Sequence, residues 1–228
     1  MVWKITPAFA EWIVSNNNPF RTEGILSPLC TVVELGCGVS GIVALALSPS
    51  VGVYVATDQG YVRKLFLENV NENRRHTNRN KGGGRSNKAK KNKDATDIDD
   101  NNNVSFEELD WETDIPSSSL KNDTDPGFDI LISCDCIYNE ALTKPFLSTC
   151  AEICRLRPLC SAPEHDDDPR RPTICLIAQR LRSPDVFETW LREALVDFRF
   201  RVWRVRDFIL PDSLKEDSGS VVHVLLLT

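Results

Sequence analysis

No segment of this sequence approaches the roughly 18–20 consecutive apolar residues that a membrane-spanning helix needs. The opening MVWKITPAFAEWIV is interrupted by charges at Lys4 and Glu11, so it lacks the unbroken apolar stretch of a secretory signal. An excess of positive charge is also missing. The formal net charge is −6, which speaks against a general nucleic-acid-binding domain. The three histidines (76, 165 and 223) are scattered, and the eight cysteines (30, 37, 134, 136, 150, 154, 160 and 175) show no metal-ligand spacing, so no metal is expected. Several of these cysteines lie inside apolar runs, such as FDILISCD and TICLIA. They read as buried, reduced thiols of an intracellular protein. The expected compartment is the cytoplasm, with the nucleus as the alternative.

What the sequence does contain is an alternation of β-rich apolar runs with stretches of helical period, the pattern of a mainly parallel sheet covered by helices. Strands are expected at Thr31–Leu35, Val53–Thr57, Val104–Leu109, Phe128–Cys134, Thr173–Ala178, Phe200–Val205 and Val221–Leu227. The fourth is apolar throughout, as a central strand buried on both faces should be. The last two are joined by a loop alone and should pair antiparallel. Helices are expected after Gly41, over Tyr61–Asn73 with Val62, Leu65, Phe66 and Val70 inward, over Leu142–Arg157, and over Asp185–Asp197 with Phe187, Trp190, Leu191, Ala194 and Leu195 inward. The chain reads as one α/β domain over residues 1–228, a Rossmann-like, doubly wound seven-stranded sheet with an antiparallel C-terminal strand.

Two polar stretches interrupt the pattern. Residues 74–103 carry three consecutive glycines, almost no apolar side chain, and a basic half followed by an acidic half. Such a stretch buries too little surface to offset its ordering entropy, and it reads as a disordered insertion. Any contact it makes with RNA is expected to be incidental. A second polar loop is expected over 161–172.

The chemistry begins at Glu34-Leu35-Gly36-Cys37-Gly38-Val39-Ser40-Gly41. Glycines after a first strand let the backbone turn sharply and approach a ligand, with a helix N-terminus facing it. Asp58 closes the second strand, where a carboxylate can accept hydrogen bonds from an adenosine ribose. Gly36, Gly38 and Gly41 also satisfy the dinucleotide fingerprint, so the glycines alone do not choose between a nicotinamide cofactor and S-adenosylmethionine. Three features favour S-adenosylmethionine. Glu34 suits a cofactor with a positively charged amino-acid end, the sheet closes with an antiparallel pair, and no histidine or lysine is placed as a hydride-transfer acid.

The segments ELGCGVSG, ATDQ, LDW (Leu109–Trp111) and Cys134-Asp135-Cys136-Ile137-Tyr138 resemble, in order and spacing, the seven-strand protein-lysine methyltransferases. The VW-x-x-T-P-x-F-A-x-W-I opening and the long insertion look most like the fungal ribosomal-protein lysine methyltransferases of that group. The resemblance implies that Trp3 lines the cofactor pocket, that Gly36 and Gly38 contact the methionine end, and that Cys37, Gly41 and Cys134 belong to the pocket. It further implies Asp58 at the ribose and Trp111 beside the adenine. Asp135 would hold the acceptor ε-amine and Tyr138 would wall its aliphatic stem. Asp135 also reads as an N-cap for the helix that follows, and the two roles are compatible. No dedicated general base is implied. Relatives carry additional chain ahead of the Val2-Trp3 element, expected to contribute to substrate selection.

The expected reaction is S-adenosylmethionine-dependent methylation of a lysine, on a ribosomal protein of the large subunit, by a monomer that does not engage membrane. A methyltransferase for another protein lysine or for a small molecule, a catalytically silent binding module, and a dehydrogenase are the competing readings.

Overall fold

In a computed structural model the described residues are 4–81, 103–120, 127–157 and 171–228, without the side chains of 76–81 and 118–119. The strands are β1 (Thr31–Leu35), β2 (Val53–Asp58), β3 (Val104–Glu108), β4 (Ile130–Cys134), β5 (Ile174–Arg180), β6 (Phe200–Arg204) and β7 (Ser220–Leu227). The helices are α1 (Ile5–Val14), α2 (Pro19–Thr22), α3 (Ile42–Leu47), α4 (Arg63–Lys81), α5 (Pro116–Ser119), α6 (Thr143–Leu156) and α7 (Pro184–Arg192).

The seven strands form one sheet in the order β3-β2-β1-β4-β5-β7-β6. All pairings from β3 to β5 are parallel, and β7 runs antiparallel between β5 and β6. Strand order therefore reverses between β1 and β4, which lie side by side with Leu35 beside Ser133. In doubly wound sheets ligands bind in the crevice at the carboxyl ends of such a pair. The architecture is the one read from the sequence.

Alternation along the strands divides the core into two layers. Val32, Tyr54, Ile130, Ile132 and Leu176 face α1, α3 and α4, while Val33, Leu35, Leu131, Cys175 and Ile177 face α6 and α7. In α1 the spacing of Ile5, Phe9, Trp12 and Ile13 presents one buried stripe to the first layer. The Trp12 indole N–H donates to the Ile209 carbonyl at 2.9 Å, tying α1 to the segment between β6 and β7.

Three local expectations need correction. The buried stripe is Val62, in the turn just ahead of α4, with Phe66 and Val70 of α4, and Leu65 is half exposed because it lies about a quarter turn from Phe66. The same helix runs on to Lys81, so the first eight residues of the expected insertion are helical. Arg74 anchors that extension by donating to the Ser48 hydroxyl at 2.9 Å. At the other end of the insertion, the Asn103 amide donates to the Ser48 and Val51 carbonyls and its own carbonyl accepts from Tyr54 N. Residues 82–102 and 158–170, which take in all but the last two positions of the second polar loop, lie outside the described residues. In the last helix, the α-helical part ends at Arg192, and Glu193–Asp197 form one π turn in which Phe198 N donates to the Glu193 carbonyl at 3.0 Å. The wider turn rotates the remaining register, so Ala194 stays buried while Leu195 turns outward.

Candidate functional site

The turn after β1 is stitched to β2 by backbone bonds: Gly36 N and Cys37 N both donate to the Thr57 carbonyl, at 2.9 and 3.1 Å. Gly36 and Gly38 hold positive φ (68° and 60°), the left-handed region that favours glycine. At Gly36 a Cβ would lie 2.5 Å from the Cys136 sulfur and 3.3 Å from the Trp111 ring, so closeness of packing demands glycine there. At Gly38 a Cβ would meet nothing within 4 Å. That position opens on a cavity of about 560 Å³ at the β1/β4 switch point, within the range of small-molecule sites.

Of the eleven expected site residues, Glu34, Gly36, Cys37, Gly38, Asp58, Trp111, Cys134, Asp135 and Tyr138 line this cavity. Gly41 does not. It begins α3 in a left-handed conformation, and a Cβ there would lie 2.6 Å from a Val70 methyl, so its glycine serves helix packing against α4. Trp3 lies outside the described residues.

On the β1/β2 side, the Tyr54 hydroxyl donates to Glu34 Oε2 at 2.6 Å within the buried core. Burial pushes the Glu34 carboxyl up to about 7, against the Tyr54 bond that lowers it and with a further rise from the negative Asp58. Asp58 accepts from Gly38 N through Oδ2 and from Gln59 N through Oδ1, both at 2.8 Å. Its pKa is raised by burial despite those two bonds. Each carboxylate oxygen has two lone pairs, so both acids keep acceptor capacity toward the cavity. Trp111 covers Gly36 and meets Phe146 of α6 edge-on at 5.2 Å. Its indole N–H is buried without a protein partner among the described residues.

On the β4/β5 side, Asp135 follows β4 with φ +65°, an uncommon conformation for a residue with a side chain. Its backbone N–H donates to the Ala178 carbonyl at 2.7 Å. One carboxylate oxygen accepts from Arg180 N at 3.3 Å and the other pairs with the Arg182 guanidinium. The N-cap role expected of Asp135 belongs to Asn139, whose side chain accepts from Ala141 N at 3.1 Å in the short turn leading into α6. Tyr138 stands 57% exposed at the mouth.

The walls between are thiols. Burial raises the pKa of Cys37 and Cys134 and pushes Cys136 up to about 12, so each is a neutral, weakly polar surface. Among the described residues no cluster of histidine, cysteine or carboxylate could hold a metal ion. Sequence reasoning missed Thr6 and Gln59. Thr6 hydrogen-bonds the Cys134 thiol from α1, and its signal was a polar residue on an otherwise apolar stripe. Gln59 hydrogen-bonds Asp110 at the rim, and no pattern in the chain marks it.

The residues present fit S-adenosylmethionine. An open glycine turn, one buried and one half-buried acid with acceptor capacity, and an indole donor unpaired among the described residues surround a hollow of suitable size.

A lysine methyltransferase family model matches residues 85–162, the stretch that holds β3, β4 and α6. Ribosomal lysine N-methyltransferase 5 of Vanderwaltozyma polyspora is 29% identical over 93% of this chain and 71% of its own length. A diaminohydroxyphosphoribosylamino-pyrimidine deaminase of Schizosaccharomyces pombe is 28% identical over 94% of this chain, a match that takes in 39% of that protein. Among solved structures, the magnesium protoporphyrin IX methyltransferase of Synechocystis with bound S-adenosylmethionine superposes with a TM-score of 0.51 at 12% identity, covering 97% of this chain and 79% of that one. This last likeness establishes the fold.

Proposed function

We propose that this chain, which belongs to the seven-stranded S-adenosylmethionine-dependent protein-lysine methyltransferases, methylates a lysine of a ribosomal protein. The observation that carries the reading is the juxtaposition at the β1/β4 switch point of an acid pair beside the glycine turn with a third acid, Asp135, across the cavity. When bound, the cofactor supplies an activated methyl group on a positively charged sulfur. Glu34 would receive the cofactor's ammonium, Asp58 would accept from its ribose hydroxyls, and the Gly36–Gly38 backbone would hold its methionine end. Cys37, Cys134 and Trp111 close the remaining wall.

Asp135 draws in the acceptor lysine as a cation, and Tyr138 flanks the aliphatic stem. The amine has to lose its proton before it attacks, and burial near a positive sulfur favours the neutral form. The proton leaves to water at the open mouth, so no dedicated base is required. Alignment is the larger contribution, since orienting bound reactants lowers a barrier by up to about 7–11 kcal/mol. The name of the fission-yeast relative describes a protein mostly outside the match and is not carried over.

The chain acts as a monomer in the cytoplasm, where buried free thiols stay reduced. The basic stretch after Lys81 makes only incidental contact with nucleic acid. The test is incubation with a methyl-labelled cofactor and purified ribosomal proteins, followed by mass spectrometry. A methylated lysine on one protein is expected, and absence of label from every protein would overturn the reading. A second reading, cofactor binding without transfer, is favoured by the pairing of Asp135 with Arg182. Tight S-adenosylhomocysteine binding with no labelled product would single it out.

A further inference from the structure

We infer that the cleft beside Tyr138, at the exit of β5, is a subsite for one backbone carbonyl oxygen of the substrate, held by the Gln179 amide. The bond fixes the peptide that carries the acceptor lysine. The inference rests on the lysine-methylating reading above and names how that site grips its substrate.

Two adjoining hollows are opposite in character. The large cavity is lined by five carboxylates, Glu34, Asp58, Asp110, Glu112 and Asp135, and by no lysine, arginine or histidine among the described residues. The cleft, of about 20 Å³, is lined by Arg180, Arg182 and Gln179 and by no carboxylate among the described residues. Tyr138 borders both. Asp135 accepts from the backbone N–H of Arg180, itself on the cleft wall, at 3.3 Å. A lysine residue carries the complementary pair, a cation at the end of its side chain and a carbonyl acceptor on its backbone.

The donor is unspent. Gln179 is 2% exposed, and its amide nitrogen has no partner among the described residues. Alternation along β5 turns it to the same layer as Cys175 and Ile177, where Ser183 and Val186 at the start of α7 share the cleft. Ser183, at the N-cap of this nine-residue helix, makes no side-chain bond to it, so the positive helix end adds to the donor character of the wall. A volume of this size holds about one water molecule, which admits a single oxygen and excludes a side chain. Both arginines are already bonded, Arg182 to Asp135 and the Arg180 guanidinium to the Ser218 carbonyl at 3.4 Å, and neither has to move. A buried amide without a partner costs stability that an incoming carbonyl oxygen restores.

The subsite can be read directly by nitrogen-15 NMR of the glutamine side-chain amides, in the full chain saturated with S-adenosylhomocysteine. The variant Gln179→Leu is close in size, lacks the donor, and identifies the Gln179 signal by its disappearance. Titration with Nα-acetyl-lysine N-methylamide, which carries the ammonium and two peptide carbonyls, is expected to shift that signal. Titration with n-butylammonium, which carries the stem and charge alone, should leave it in place. A signal that ignores the blocked lysine, or follows n-butylammonium equally well, overturns the proposal whether or not the wild type labels ribosomal proteins. Absence of label from wild type overturns the methylation reading separately.

Kinetics and stability together supply a second readout. Gln179→Leu should raise the apparent KM for purified ribosomal proteins about 2–10-fold, the value of one hydrogen bond, at unchanged kcat. The same variant removes an unpaired buried polar group, so its urea midpoint should hold or rise. A fallen urea midpoint with unchanged KM would make Gln179 a support for the fold and refute the subsite.

Discussion

The two walls of the cavity come from adjacent parts of one sheet, yet they differ in how far their polar atoms are already committed. On the β1/β2 side, Glu34 has one hydrogen bond from Tyr54 and Asp58 has two from backbone, while the Trp111 donor has none among the described residues. On the β4/β5 side, the Asp135 carboxylate is paired with a guanidinium and shut off from water. A buried group with unused capacity is a standing desolvation cost that a complementary ligand removes. The first wall therefore keeps unused hydrogen-bonding capacity toward the cavity, whereas the acid of the second is already paired.

The sharpest way to break that contrast is to neutralise one acid on each wall and ask which quantity moves. Asn tolerates the left-handed backbone that Asp135 adopts, so Asp135→Asn removes charge while keeping shape. Transfer to ribosomal proteins is expected to fall about 100-fold or more, as for a misplaced reactant. S-adenosylhomocysteine affinity, read by calorimetry, should stay within about twofold, because a neighbouring wall without a shared hydrogen bond couples weakly. Equal loss of both would erase the distinction between the walls.

A second contrast concerns acid. His223 on β7 is buried against Phe187 and Trp190, with ring centroids 5.7 and 5.2 Å away. Burial, with a smaller effect from Arg204, lowers its pKa from 6.5 to about 4. Its neutral form is favoured by folding, so the contribution is complete above pH 6.5 and is lost as pH falls through about 4. The loss should reach about 3 kcal/mol, seen as a falling urea midpoint that His223→Phe flattens. A midpoint insensitive to His223→Phe over that window would show that the histidine is not held neutral.

The sheet was legible because its signals are local: β4 is apolar at nearly every position, and the β1, β2 and β4 runs end at a glycine or an acid. That the glycine turn and its acids line one cavity was legible for a related reason, since glycines and acids at strand ends have few other uses. What escaped depends on contacts far apart in sequence. The pairing of Arg182 with Asp135 spans 47 positions, and the Asn139 cap became visible only once the short turn before α6 was known. Gly41 shows the opposite error. A glycine in the expected motif position owes its identity to a methyl of Val70 in a neighbouring helix, a contact that spacing alone cannot report.

On the β1/β2 wall, Asp58→Asn should weaken S-adenosylhomocysteine binding about 10–100-fold, the value of one or two hydrogen bonds to a charged acceptor. Transfer at saturating cofactor should change far less, the reverse of the pattern expected for Asp135.

The mildest effect is a proton-linked one at Glu34. With its carboxyl near 7 in the free protein, raised above the usual carboxylate value, its neutral form stabilises the fold at low pH. That contribution is fully present below about pH 4.5 and is lost as pH rises through about 7. A cofactor ammonium facing Glu34 favours the charged form and reverses this preference, so binding must release a proton wherever the acid is neutral. Between pH 8 and pH 6 the apparent affinity for S-adenosylhomocysteine should therefore weaken about tenfold, with proton release measurable as a buffer-dependent binding enthalpy. Glu34→Gln should be weaker at pH 8 and lose the pH dependence, whereas Asp135→Asn should retain it. If the slope survives in Glu34→Gln, the ammonium is received elsewhere, and the open acceptor capacity of the first wall belongs to Asp58 alone.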